Sequence, residues 1–285
     1  MNTPDTANLA LFCDFENVAL GVRDARYAQF DISKVLERLL LKGSIVVKKA
    51  YCDWDRYKEF KAAMHHASFE LIEIPHVRQS GKNSADIRMV VDALDLCYTK
   101  AHVDTFVIIS GDSDFSPLVS KLRENNKTVI GVGVKNSTSD LLIANCDEFI
   151  YYDDLVREPK SRAAPRRKAG GRDAGAAKGG ARSTAAQAAE ASPGEAPASD
   201  EAPSQDAIDL VRQTYDALVS ERGAEEKIWG SMVKQALKRR KPGFSEGYYG
   251  FSSFNKLLEE AQARHQLLLE RDEKSGGYIV RAAQD

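Results

Sequence analysis

The chain has 285 residues, 43% of them hydrophobic, and a formal net charge of −2, which leaves room for two domains with buried cores plus connecting chain. The apolar run near its start, Leu9–Cys13, is far too short for a signal peptide or a membrane span. With no longer apolar stretch elsewhere, the expectation is a soluble, cytoplasmic protein.

Charge is spread unevenly. Residues 1–155 hold 18 Lys/Arg against 23 Asp/Glu, residues 156–206 hold 9 against 7, and residues 207–285 hold 13 against 12. An acidic first domain suits a nucleic-acid partner only if several of its acids are metal ligands neutralised by cations.

Along residues 1–155 short apolar runs alternate with helix-period segments. Strands are predicted at Leu9–Cys13, Ile45–Tyr51, Phe69–Pro75, Thr105–Ile109, Thr128–Val134 and Glu148–Tyr151. Val46-Val47, Phe106–Ile109 and Val129-Ile130 are nearly continuous and β-branched, as in strands buried on both faces of a parallel sheet. Helical spacing links Ile32, Val35, Leu36, Leu39 and Leu40, with Gly43 as the stop. It also links Met89, Val90, Ala93, Leu94 and Cys97 after a start near Ser84, and Leu118, Val119 and Leu122 after Pro117. This alternation predicts a three-layer α/β/α domain with a mainly parallel sheet over residues 1–155. Cys13, Cys52, Cys97 and Cys146 form no CxxC pair and read as small buried hydrophobes of a reducing compartment.

Residues 156–205 are rich in Ala, Gly, Pro and Ser and keep no apolar period, so a disordered linker is expected there, basic in its first half and acidic in its second. Helical order returns near Asp206. Ile208, Val211, Tyr215, Leu218 and Val219 make one face; Ile228, Trp229, Met232, Val233, Ala236 and Leu237 a second; Phe254, Leu257, Leu258 and Ala261 a third. A hairpin follows, Gln266–Glu270 and Tyr278–Val280 around Ser275-Gly276-Gly277. Three helices and a β-wing predict a winged-helix module over residues 206–285.

The chemistry concentrates in four acids. Asp14 ends the first strand, in Cys13-Asp14-Phe15-Glu16-Asn17. Asp112 and Asp114 follow the fourth, in Ser110-Gly111-Asp112-Ser113-Asp114-Phe115. Asp86 lies in the first turn of the helix opened by Lys82-Asn83-Ser84. Loops at the carboxyl ends of parallel strands form the functional crevice of such sheets, and carboxylates gathered there repel unless a cation sits among them. Oxygen-only ligands select a hard ion, Mg²⁺ or Mn²⁺, which can activate water against a phosphodiester. Ser110 or Ser113 can hydrogen-bond a carboxylate or a phosphate. Taken singly, each acid also reads as a loop residue, a helix-dipole partner or an N-cap.

These segments, with Asn145-Cys146-Asp147-Glu148-Phe149-Ile150-Tyr151, resemble the NYN family, the LabA-like branch of PIN-type nucleases, over about residues 8–155. The resemblance implies a PIN-like fold and Mg²⁺- or Mn²⁺-dependent endonucleolytic cleavage of single-stranded or structured RNA. It also implies Asp14, Asp86, Asp112 and Asp114 as metal ligands, with Asn17 beside the metal or the scissile phosphate. Asp92 lies six residues beyond Asp86, about 240° around the helix, and takes a structural role. Arg78, Lys82 and Arg88 flank Asp86 as candidate phosphate contacts. His65-His66 lacks a third ligand, and Gly131 with Gly133 is too short for a dinucleotide fingerprint.

In the C-terminal part, Trp229 to Phe244 and Tyr248 to Leu258 resemble the OST-HTH (LOTUS) domain, and Gly276-Gly277-Tyr278 fits its wing. That resemblance implies binding of structured or G-rich RNA, although some members bind protein. Lys234, Lys238, Arg239, Arg240 and Lys241 make a cationic strip, with Tyr248 and Tyr249 close by as stacking platforms. PIN-like domains often pair, so a homodimer, or a protein partner of the winged helix, stays open. Two other functions stay open as well. One is a non-catalytic RNA-binding or regulatory adaptor. The other is a Mg²⁺-dependent phosphatase, which wants an Asp where Glu16 stands and a downstream Lys motif that is absent.

Overall fold

The computed structural model describes residues 7–27, 29–74, 84–157, 201–223, 226–272 and 276–283. The first domain is built from β1 (Ala7–Asp14), α1 (Phe15–Asp24), α2 (Ile32–Leu40), β2 (Gly43–Cys52), α3 (Lys58–His66), β3 (Glu70–Glu73) and α4 (Ser84–Thr99). It continues through β4 (Thr105–Ile109), α5 (Ser116–Glu124), β5 (Thr128–Gly133), α6 (Asp140–Asn145), β6 (Glu148–Tyr151) and α7 (Tyr152–Val156).

The six strands pair in the order β3-β2-β1-β4-β5-β6, and every pairing is parallel. The period of two along each strand sorts side chains between two cores. Leu9, Leu11 and Cys13 of β1, with Val107 and Ile109 of β4, face the layer carrying Phe15, Val18, Val35, Leu39 and Met64. Ala10 and Phe12 of β1, with Phe106 and Ile108 of β4, face Met89, Ala93, Leu118, Val119, Leu122 and Leu142. Residues 9–13 are fully buried, because helices cover both faces of the central strand. The three-layer expectation holds.

Local differences have local causes. The third strand runs over Glu70–Glu73 as an edge with one neighbour; Phe69 instead enters the core after Ser68 takes a φ of 58°, and Pro75 lies outside the described residues. Helices α1, α6 and α7 were not anticipated, and Asp14 caps the first of them. The four cysteines are buried and unpaired.

The C-terminal module comprises α8 (Glu201–Arg222), β7 (Ile228–Trp229), α9 (Gly230–Arg240), α10 (Phe254–Ala263), β8 (Leu267–Arg271) and β9 (Tyr278–Ala282). Ile208, Val211, Val233, Leu237, Phe254, Leu257, Leu258 and Val280 form its core. The expected three helices and wing are present, with two corrections. Ile228 and Trp229 belong not to a helix but to a short strand paired with Val280 and Ile279, a partner some fifty residues away that no local period reveals. Helix α8 starts at Glu201, inside the stretch expected to be linker, because its first turn has no apolar face to mark it. The rest of that stretch, residues 158–200, lies outside the described residues. Among the described residues no helix is long and apolar enough to cross a membrane.

Candidate active site

The strand order reverses between β1 and β4, since one connection runs from β1 outward to β2 and the other returns to β4. In an open parallel sheet the crevice beyond the carboxyl ends at this switch point is where ligands bind. Asp14 closes β1 on one side of it, and Ser110-Gly111-Asp112 follows β4 on the other.

A hydrogen-bond network ties these two strand ends together. Ser110, fully buried, donates its hydroxyl to Asp14 Oδ2 at 2.9 Å. Asn17 donates its backbone N–H to Asp14 Oδ1 at 3.4 Å, and its own Oδ1 accepts the Gly111 N–H at 2.8 Å. The Asp112 N–H reaches Ser110 Oγ at 3.2 Å, while Asp112 Oδ1 caps the following turn by accepting from the Asp114 N–H at 2.9 Å. Gly111 is required by close approach: a Cβ there would collide with the Ser137 carbonyl oxygen of the next loop.

Electrostatics bring in the other acids. Burial pushes the Asp14 carboxyl up to about 7; the Asp86 and Asp112 carboxylates add to the rise, and the Ser110 and Asn17 hydrogen bonds hold it back. Asp86, in the first turn of α4, is raised by burial, then by Asp112, Asp114 and Glu16. Asp14, Asp86, Asp112 and Asp114 therefore share one field of mutual repulsion at the switch point. Asp112 is half-buried and Asp114 exposed.

Among the described residues no three His, Cys, Asp or Glu side chains close around a common point. The donor chemistry nonetheless fits a hard divalent cation: every candidate ligand is a carboxylate oxygen. Asp14, buried with only two hydrogen bonds against its repelling neighbours, is the kind of carboxylate a cation would relieve.

Other predicted residues are placed as follows. Asn17 fastens the β4 loop through its side-chain oxygen, which accepts the Gly111 N–H. Arg88, expected as a phosphate contact, donates to Asp92 at 3.0 Å. Asp92 also accepts from Tyr51 Oη at 2.9 Å and from Lys49 Nζ at 3.3 Å. Burial opposes its ionisation, but these donors overcome it and hold the carboxyl below its usual range, the structural role expected. Arg78 and Lys82 lie outside the described residues. Ser110, rather than Ser113, is the serine that holds a carboxylate. Sequence reasoning missed Arg56, which follows β2 and pairs with Glu16 at 3.3 Å. No periodicity marks a loop cation, but its place just after a strand end was a usable signal.

In the C-terminal module Arg239 and Lys241 are exposed. Lys234 pairs with Glu246 at 2.8 Å, and Arg240 donates to the Gln213 carbonyl at 3.3 Å. Lys238 reaches Glu148 of the first domain at 3.2 Å. Tyr249 stacks on Phe244 with centroids 5.3 Å apart, and Tyr248 stands edge-on to Tyr249 at 4.9 Å. Tyr248 is exposed, while Tyr249 is half-buried.

Comparison with known proteins gives one family model, the NYN domain, matching residues 8–153. Uncharacterized protein MJ0482 of Methanocaldococcus jannaschii is 29% identical over 138 residues, 48% of this chain and 54% of that protein. Meiosis regulator and mRNA stability factor 1 of Xenopus tropicalis is 25% identical over 150 residues, 53% of this chain but 9% of that protein; its Bos taurus counterpart is 24% identical over 150 residues, 53% and 8%. The chain thus spans about half of the first relative and under a tenth of the other two. A solved structure, the protein of unknown function VPA0982 from Vibrio parahaemolyticus RIMD 2210633, is 28% identical, with 54% of this chain and 98% of that chain covered at a TM-score of 0.48.

Proposed function

Because the chain belongs to the NYN domain family over residues 8–153, within the PIN-like nuclease superfamily, we propose that it is a divalent-cation-dependent endoribonuclease whose C-terminal module captures RNA. The observation that carries this is the bonded pair of strand ends at the switch point, where Asp14 and Asp112 are joined through Ser110 and Asp86 adds its charge.

Asp14, Asp86, Asp112 and Asp114 would hold Mg²⁺ or Mn²⁺. Bound there, the cation would supply an activated water and neutralise charge on the entering and leaving oxygens of a phosphodiester. The chain's own contribution is placement. Ser110 fixes the rotamer of Asp14, Asn17 fixes the loop that carries Asp112, and the buried floor under Asp14 keeps local dielectric low, so charge pairing there is stronger than in water. Arg56, paired with Glu16, would be free to meet a phosphate if Glu16 released it.

Three points support RNA as the substrate: the family, the naming of the two vertebrate relatives as mRNA stability factors, and the exposed cations Arg239 and Lys241. The same C-terminal residues underlie the OST-HTH reading of that module.

Incubating the full chain with labelled single-stranded RNA, hairpin RNA and single-stranded DNA, in Mn²⁺, Mg²⁺ or EDTA, tests this. RNA cleavage in the divalent cations alone is expected. Binding without cleavage in every cation would replace the nuclease with the non-catalytic adaptor, a reading favoured by the open spacing of the four acids.

A further inference from the structure

The C-terminal module does not stand apart from the NYN domain. Its loop after α9 lies along β6, the outer strand of the sheet. There the Phe149 N–H, on the open side of that edge, donates to the Pro242 carbonyl at 3.0 Å. Gly243 lies flat against Tyr151; a Cβ would sit 2.7 Å from the Tyr151 hydroxyl. Lys238 reaches Glu148 at 3.2 Å, and the Lys135 ammonium stands 3.3 Å over the centre of the Tyr248 ring.

Two features of this seat matter. First, it engages residues that the strip would offer to RNA. Lys238 already has a carboxylate partner, and Lys135 covers one face of Tyr248 where a base would stack. Second, it is built to let go. Glu148 has two lysines, and Lys42 of its own domain is the nearer, at 2.6 Å against 3.2 Å for Lys238. When Lys238 leaves, Glu148 keeps a partner, so no buried charge is stranded, the circumstance that makes breaking other buried pairs costly. The Phe149 amide and Pro242 carbonyl return to water, and a hydrogen bond exchanged for water changes stability by only about 1 kcal/mol. Gly243 brings no side chain to Tyr151, and Lys135 and Tyr248 are both exposed.

We infer that the β6 edge is the resting seat of the C-terminal module, and that RNA competes with this edge for Lys238 and Tyr248, so that substrate capture undocks the module. A phosphate replaces the Glu148 carboxylate on Lys238, and a base replaces the Lys135 ammonium on Tyr248. Lys135, at one end of the seat, lies two residues past the carboxyl end of β5, the neighbour of the strand that leads to Asp112, while Glu148 and Phe149 open β6. This rests on the RNA-capturing reading of the C-terminal module, but not on cleavage.

The test uses the full chain in EDTA, with a labelled single-stranded RNA and no turnover. Glu148→Gln removes the charge that Lys238 faces while leaving the acid cluster intact. Exchange at the Phe149 amide reports the dock, because Pro242 is its acceptor. Saturating RNA is expected to speed Phe149 exchange in the wild type. Glu148→Gln is expected to speed it without RNA and to tighten RNA binding by about fivefold or more, the usual scale of coupling between two linked equilibria. Unchanged melting temperature in the variant confirms that the domain itself is intact. Phe149 exchange that is indifferent to RNA, or that rises in Glu148→Gln without any gain in affinity, overturns the inference. If neither protein binds RNA, the capture reading fails, and the competition with it, whereas the cleavage assay still judges the acid cluster separately.

Discussion

Asp14→Asn is expected to make the cation-free protein more stable while abolishing cleavage. Asp14 is 7% exposed and titrates at about 7 in the fold against an ordinary 3.8. Between those values the folded state binds a proton that the unfolded chain has released, so stability falls as pH rises from about 4 to about 7 and stays at the lower level above that. At 1.36 kcal/mol per pKa unit the shift sets an upper scale of about 4 kcal/mol for the charge at pH 8. Asparagine keeps an oxygen for the Asn17 N–H, and its amide donates to the Ser110 hydroxyl where the carboxylate accepted from it, but it carries no charge. A gain of about 2 kcal/mol, or roughly 5 °C in Tm, is expected at pH 8 and should vanish near pH 4. Saturating Mn²⁺ should reverse the ranking, because a ligand at a hundred times its Kd stabilises the wild type by about 2.7 kcal/mol and the variant has lost its central ligand. Cleavage should fall on the order of a thousandfold or more, as when one member of a concerted catalytic group is removed. A wild type whose Tm does not change between pH 4 and pH 8 would contradict the buried-charge account. A variant that keeps the Mn²⁺ effect would remove Asp14 from the ligand set.

Phe15→Ala carries the largest expected cost to the fold. Phe15 is fully buried and sits among four rings: Trp54 at 4.9 Å, Phe60 at 5.1 Å, Tyr57 at 5.6 Å and Phe30 at 5.9 Å between centroids. Three of these partners come from the segment after β2, so the ring joins the start of α1 to the β2–α3 connection. Truncation leaves a cavity that fixed neighbours cannot fill, and a loss of about 4 kcal/mol is expected in urea unfolding. Because Phe15 lies between Asp14 and Asn17, the variant should also bind Mn²⁺ more weakly even where it remains folded. A loss below about 1 kcal/mol would mean that the cluster repacks and does not anchor the site.

How much of this was legible in the chain follows from which interactions are local. The central strands were readable because β1, β4 and β5 are covered on both faces, and such strands are almost uninterrupted runs of Leu, Ile, Val and Phe. The acids were readable because strand ends can be located from those runs. Helix α1 was not, since Glu16, Asn17 and Gly21 interrupt its apolar period and only Phe15, Val18, Gly21 and Val22 are buried. The exchange of partners at Asn17 was equally hidden: its bond to Gly111 spans 94 residues. Ile228 and Trp229 fit a helical face as well as a strand until β9 is in place beside them. The seat on β6 has no local signature at all, because Glu148 and Lys238 are 90 residues apart, and a basic helix end reads the same whether it faces solvent, RNA or a carboxylate.

The central claim, one cation-dependent hydrolytic centre made from the acids at the switch point, is tested most directly with Asp112→Asn. Asparagine keeps the side-chain oxygen that caps Asp114 and removes only the charge. Single-turnover cleavage of a labelled RNA is measured for the full-length wild type and the variant, in saturating Mn²⁺ and in EDTA. The account predicts cleavage by the wild type in Mn²⁺ alone and none by the variant in either condition, with RNA binding unchanged. Cleavage by the variant at the wild-type rate, or by the wild type in EDTA, would contradict it.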